Sequence, residues 1–275
     1  MSNSNWMGVV LFSGIYVAMF LFSDNAGLLL NGIGLTVVIS GTLGAMFLSY
    51  PSAEIRAAPR VAANTYSSKI ISPEKVIDIL RDLAVRTRTD GLLALENYTE
   101  QTTIGFLRRA LNLLVDGFKD EDLHEILHTE MLYFKQRRVQ HERVFRHAAR
   151  LAPAFGVAGS VIGLTAMLAG IGDPDVIVKS IPIALTSTLY GIVLSNFILT
   201  PFAESIRART ERELLLQKLV TDGVITIRRE PNPTRLAIRL ESFLTPAARH
   251  HENRTVDDLR DGIRDIHSET QQQSR

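Results

Sequence analysis

Four stretches of the chain are almost uninterrupted in apolar residues: 6–23, 26–50, 151–172 and 181–203. Each comes close to the about 20 residues a helix needs to cross a bilayer. The first two are joined by the tight turn "SDNAG", the last two by "DPDVIVK", so the pattern predicts two membrane hairpins. A removable leader is a poor account of the first stretch, because no cationic residue precedes it and the second span follows at once. Between the hairpins the pattern becomes amphipathic. "YPSAEIRAAPR" leaves the second span, with Pro51 and Pro59 expected to break or redirect the chain. "ISPEKVIDILRDLAVRTR" opens with Ser72 as N-cap, Pro73 at the first helical position and Glu74 in the first turn. Val76, Ile79, Leu80 and Leu83 recur at helical spacing, and Gly91 is placed to end that helix. Residues 92–117 read as one or two further helices. Asp120 is expected to cap a long amphipathic helix that runs on towards the third span as a stalk. After the fourth span the helical pattern continues to "PNP" at 231–233, and a short helix follows over 234–246.

The expected fold class is therefore all-α: a polytopic membrane protein with four transmembrane helices and a helical cytoplasmic domain. The expected division is a first transmembrane hairpin (1–50), a cytoplasmic helical domain (51–150), a second transmembrane hairpin (151–203), C-terminal cytoplasmic helices (204–246) and a flexible polar tail (247–275).

Charge sets the orientation. The net charge of the 275 residues is only +1, which by itself would suit an ordinary soluble protein. The distribution does not: no Lys or Arg precedes Arg56, and between Leu151 and Ala203 the only one is Lys179. The short connections hold that one Lys and no Arg. The opposite flanks carry Arg56 and Arg60, then Arg143, Arg146 and Arg150, then Arg207, Arg209 and Arg212. An excess of cations on one side marks the cytoplasm, so the long segments and both termini are expected there. The absence of cysteine excludes a disulfide framework and a thiolate metal site. The near-neutral balance gives no sign of nucleic-acid binding.

The chemistry missing from the spans is as informative as what they hold. None has an interior Asp, Glu, Lys, Arg or His, whereas proton relays and ion pathways usually display one. The chain alone is poorly equipped to carry an ion. The second pair of spans does carry hydroxyls, Ser160, Thr165, Thr186, Ser187, Thr188, Ser195 and Thr200, although such groups often only bond their own i−4 carbonyls. Pro153, Gly156, Gly159, Ser160, Gly163, Met167 and Gly170 fall three or four apart, on one face of the third span. Two readings stand for that stripe: close packing against neighbouring spans of the same chain, or one wall of a groove or pore for a helix from another chain. An enzymatic reading has a single foothold. "HEILH" at 124–128 is a His-Glu-x-x-His pattern, with His124 and His128 at ligand spacing around Glu125. No third ligand is evident, and no metal or cofactor is expected.

Several stretches resemble a known family. "APAFGVAGSVIGLTAML", then "DPD", then "IPIALTSTLYGIVLSNFILTPFAESI" is similar to the signature of flagellar stator A subunits. That family, MotA with its sodium-driven relative PomA, lies within the MotA/TolQ/ExbB proton-channel group. "GTLGAMFLSYP", "RTDGLLALE", "LVDG" and "NPTRLAIRLESFLTP" also match, so the resemblance covers roughly residues 35–246. It implies a ring of five A subunits around two B subunits, each B (MotB- or PomB-like) bringing one membrane helix with an essential Asp, the acid this chain lacks. It implies flow of H⁺ or Na⁺ past Ser160 and Thr188, with Thr186 and Ser187 beside them. Pro153 and Pro201 match family prolines that could act as hinges. Arg88 and Glu96 match the charged pair that engages a FliG-like rotor switch protein. Ser160 departs from the Thr of sodium-type and the Ala of proton-type relatives, which leaves the ion open. Two other functions compete: energising another envelope machine, as TolQ and ExbB do, and a non-conducting membrane scaffold.

Overall fold

The structure, a computed structural model, describes Gly14 and residues 30–67, 71–102, 104–229 and 232–244. Among the described residues every regular element is helical: α1 (Gly32–Ser49), α2 (Ser52–Ser67), α3 (Pro73–Asp90), a 3-10 turn (Leu92–Leu95), α4 (Glu96–Gln101), α5 (Gly105–Val115), α6 (Asp120–Ala169), α7 (Pro174–Val193), a π turn (Leu194–Leu199), α8 (Thr200–Arg229) and α9 (Pro233–Glu241). Among the described residues three helical segments are long and apolar enough to cross a membrane: Gly32–Ser49, Asp120–Ala169 and Pro174–Arg229. The span expected at residues 6–23 lies, apart from Gly14, outside the described residues, as does the tail from 247.

The chain divides into two compact units. The first takes in Met1–Ser68 and Lys135–Thr210. Its α1 is started by Asn31, whose Oδ1 accepts the Gly34 N–H at 2.9 Å and so satisfies one of the free donors of a helix N-terminus. A packed collar follows the apolar segments, built from Met46, Ala58, Ala62, Val144, Phe145, Ala148, Ala203 and Ile206. Arg146 bridges Glu142 at 2.7 Å and Glu204 at 3.0 Å, tying α6 to α8 there. Arg209 donates to the Thr65 carbonyl at 2.8 Å and the Asn64 carbonyl at 3.2 Å, closing the end of α2. Pro51 turns the chain as expected. Pro59 does not: it sits inside α2 on an exposed face, where water can take the Ile55 carbonyl that proline leaves without a donor.

The second unit takes in Lys69–Phe134 and Glu211–Arg275. Its core is a leucine cluster with Leu80, Leu83, Leu95, Leu107, Leu111, Leu114, Leu123, Leu127, Leu219 and Leu236 all fully buried. The helical spacing read in the sequence is the reason: Val76, Leu80 and Leu83 are buried, with Ile79 packed at the edge. Ser72 and Gly91 bound α3 as expected, the Ser72 hydroxyl accepting from Lys75 N and the Gly91 N–H returning to the Thr87 carbonyl. Residues 92–117 form two helices, α4 and α5, led in by the 3-10 turn. Asp120 does not cap α6. It is the first helical residue, and its carboxylate pairs with Arg228 at 2.9 Å and Arg229 at 2.8 Å.

Candidate functional site

The glycines of the third span mark where α6 and α7 approach most closely. A Cβ at Gly156 would stand 2.9 Å from the Ser187 carbonyl oxygen and 3.4 Å from the Gly191 Cα. At Gly163 it would meet the Ala184 nitrogen at 2.6 Å, and at Gly159 the Ser187 side chain at 2.7 Å. From the other side, a Cβ at Gly191 would lie 2.6 Å from the Ala152 carbonyl oxygen. Of the two readings of the stripe, the structure realises packing within the chain: these glycines are taken up by α7. The exposed face of α6 is a different one, with Val157, Val161, Leu164 and Leu168.

Within this seam the structure brings Ser160 and Thr188 together, Oγ to Oγ1 at 2.5 Å. The Ser160 hydroxyl also meets the carbonyl oxygens of Ala184 (2.5 Å) and Gly156 (3.2 Å). A hydroxyl has one proton and two lone pairs. If Ser160 donates to Ala184, Thr188 must donate to Ser160, and both protons are then committed within the chain. What the pair has left to offer is lone pairs, both of those on Thr188 and one on Ser160, which suit a protonated acid or a hard cation rather than a bare carboxylate.

Thr186 and Ser187 are not part of that pair. They are buried and donate to their own i−4 carbonyls, Pro182 and Ile183, each at 2.6 Å. Ser187 is wedged between two helices: a Cβ at Gly34 of α1 or at Gly159 of α6 would stand 2.7 Å and 2.8 Å from its Oγ. Thr165 likewise bonds back, to Val161 at 2.8 Å.

The prolines are handled in two ways. Pro153 lies inside α6, which continues through it. Proline has no N–H, so the carbonyl four residues earlier, Ala149, loses its helical donor. The Ser195 hydroxyl of the π turn takes that place, donating to Ala149 O at 2.6 Å in a buried position. Pro201 stands two residues beyond the π turn, after Thr200. The Thr200 N–H bonds back five residues to the Ser195 carbonyl, a widened register that relieves the clash between the Pro201 ring and the Phe197 carbonyl. Sequence reasoning singled out both prolines and missed the serine that serves one of them. The signal was present: a proline inside an apolar helix leaves a carbonyl in need of a donor, and hydroxyls were available. Also missed were the Tyr190 hydroxyl, which accepts the Asn31 N–H at 2.8 Å, and the Tyr50–His147 edge contact at 5.6 Å.

In the second unit Arg88 lies in the last turn of α3 and Glu96 opens α4, on separate pieces as expected, and both are exposed. Arg86, the nearby cation, is engaged by Asp82 at 3.0 Å. His124 and His128 stack on one face of α6, 5.8 Å between centroids. Among the described residues no group of three or more potential ligands surrounds them.

The family model for the MotA/TolQ/ExbB proton channel family matches residues 99–218. YtxD of Bacillus subtilis (strain 168), itself uncharacterized, is 30% identical over 75% of this chain and 76% of its own length. Chemotaxis protein PomA of Vibrio alginolyticus is 29% identical over 86% of this chain and 93% of its own. The flagellar MotAB stator complex from Bacillus subtilis contains a chain that superposes with a TM-score of 0.81 at 28% identity, covering 90% of this chain and 97% of that one. With its apolar helices, its acid-free seam and these relatives, the chain belongs to the MotA/TolQ/ExbB proton channel family.

Proposed function

We propose that the chain is the A subunit of a flagellar motor stator, coupling ion flow across the inner membrane to torque. The observation that carries this reading is the likeness, over nearly the whole chain, to the flagellar MotAB stator complex and to PomA. The seam supports it. Ser160 and Thr188 present oxygen in an apolar setting with no acid of their own, as a pathway completed by another chain requires. That chain is a MotB- or PomB-like subunit bringing an essential Asp, and five copies of the present chain form the ring around it. Neutralising the Asp by a bound ion lowers the cost of its burial, and alternation between its charged and neutral states steps the ring. Arg88 and Glu96 face a FliG-like rotor protein, where exposed charges steer docking. Pro153 and Pro201 are the candidate hinges. The chain is a multi-pass protein with both termini cytoplasmic. Its hairpins at 1–50 and 151–203 hold the membrane, and 51–150 and 204–246 meet the rotor.

The test is complementation of a strain without stators, using the chain with its B partner. Restored swimming is expected, slowed by Thr188→Ala; no restoration would sink the proposal. The ion is read from the same cells: speed that is independent of sodium and abolished by an uncoupler identifies H⁺, and speed that follows sodium identifies Na⁺. A silent Thr188→Ala with no conductance in reconstituted complexes would leave the scaffold.

A further inference from the structure

We propose, against the expectation from the sequence, that His124 and His128 on α6 form a two-nitrogen site for a divalent transition-metal ion of the zinc type. Water completes the coordination, and no catalytic step belongs to the site. It stands whether or not the chain drives a flagellum.

Both histidines are exposed and stand four apart on α6, where side chains of a helix are neighbours. The opposite side of the same two turns is fixed, since Leu123 and Leu127 are fully buried in the leucine cluster. Asp120, at the helix start, pairs with Arg228 and Arg229 of α8. The backbone that carries the histidines is therefore held, and only their side chains need to adjust. The rings lie nearly parallel, 5.8 Å between centroids and 11° between planes. Two imidazoles that share a tetrahedral ion through Nε2, at roughly 2.0–2.1 Å each, have their centroids about 5 Å apart. The remaining adjustment is less than about 1 Å, with a turn of each ring towards the ion. Among the described residues no hydrogen bond holds either ring in place, so that turn breaks nothing.

The donors decide the class of ion. Neutral imidazole suits zinc, nickel and copper, whereas magnesium and calcium require oxygen. Glu121 and Glu125 are also exposed. At 100° per residue, the four side chains leave the helix within about 100° of one another. The two carboxylates raise the local concentration of a dication. With Asp122 they also offset the positive end of the α6 dipole. They are not placed as ligands, because among the described residues no third His, Asp or Glu completes a group. A His-Glu-x-x-His peptidase holds its ion by three protein ligands and uses the Glu as a base; here two ligands and water give a reversible site instead. An ion held across two turns staples the start of α6 and stabilises the folded chain by mass action.

The experiment uses the full chain, purified in detergent by a tag without histidine, and Zn²⁺ as the probe. The chain has other histidines, among them His250 and His251 side by side. Uptake is therefore read as the difference between the native chain and His124→Gln, His128→Gln and the double variant. Equilibrium dialysis should show one more ion per chain in the native protein than in the double variant, undiminished by excess Mg²⁺. Each single variant should raise the half-saturating concentration of that ion about tenfold or more. Glu125→Gln should keep the ion. Zn²⁺ should raise the unfolding midpoint of the native chain by more than that of the double variant. Equal uptake by the native chain and the double variant overturns the proposal. So do displacement of the ion by Mg²⁺, its loss in Glu125→Gln, and an equal rise of the midpoint in both chains.

Discussion

Gly191 and Gly44 are both helical glycines in apolar segments, and opposite outcomes are expected of them. A methyl group on Gly191 would enter the Ala152 carbonyl and the Gly156 backbone, neither of which can step aside. Gly191→Ala should therefore destabilise by about 1–3 kcal/mol, the range for overpacking. Gly44 has nothing within 4 Å of the added atom, so Gly44→Ala should stabilise by roughly 0.5–1 kcal/mol through the backbone entropy of glycine. Thermal unfolding of the two variants in detergent checks the pair. An unchanged midpoint for Gly191→Ala would mean that the seam has room for the added methyl group. The glycine spacing was legible in the sequence as a stripe, because a period of three and four is a one-dimensional fact. What the stripe packs against was not, since that depends on where α7 lies.

Elements show the same division. The spans and the amphipathic stretches follow from the length and periodicity of apolar runs, and Ser72 and Gly91 announce their own helix ends through local chemistry. Pro59, Pro153 and Pro201 do not, because the cost of a proline depends on what serves the carbonyl it strands. For Pro153 the server is Ser195, far along the chain and on another helix. Ser195→Ala should cost about 1–3 kcal/mol, since it leaves the buried Ala149 carbonyl unpaired. In the double variant with Pro153→Ala the helical N–H returns, and most of that loss should be recovered. A double-mutant cycle on unfolding free energies reads the coupling; strict additivity would show that Ser195 does not stand in for the missing donor.

At the scale of the whole molecule, the units differ in how they answer to pH. In the first unit His141 is half-buried on α6, with its Nδ1 buried and lacking a hydrogen-bond partner. Burial holds its pKa below the ordinary 6.5, Arg138 on the same helix lowers it further, and Glu54 of α2 opposes them. The folded chain thus resists a proton that the unfolded chain accepts, so His141 costs stability as pH falls through and below about 6.5 and costs nothing above it. The unfolding midpoint should drop between pH 7.5 and 5.5, and His141→Gln should flatten part of that drop; an identical slope in the variant would remove His141 as the cause. In the second unit, Tyr98 is pushed up from its ordinary 10.0, by burial first and then by Asp82, so the phenol stays neutral across the same range. The candidate site was legible in part. Motif resemblance singled out Ser160 and Thr188, which the fold brings together, and proposed Arg88 and Glu96, whereas Ser195 carries no pattern that names the carbonyl it serves on another helix.

The π turn has a consequence for the phase of the fourth span. Gly191, Ser195 and Ala203 are buried on one side of it, at separations of four and then eight residues. An α-helix gains 100° per residue, so twelve residues at its ordinary winding would carry the last of these about 120° off the seam. The wider turn at Leu194–Leu199 absorbs the surplus and returns Ala203 and Ile206 to the collar. One supernumerary residue is thus spread over six, and the helix leaves the seam in step with the helix that entered it. Deleting a residue here would straighten the winding, and it would also turn away every side chain that follows.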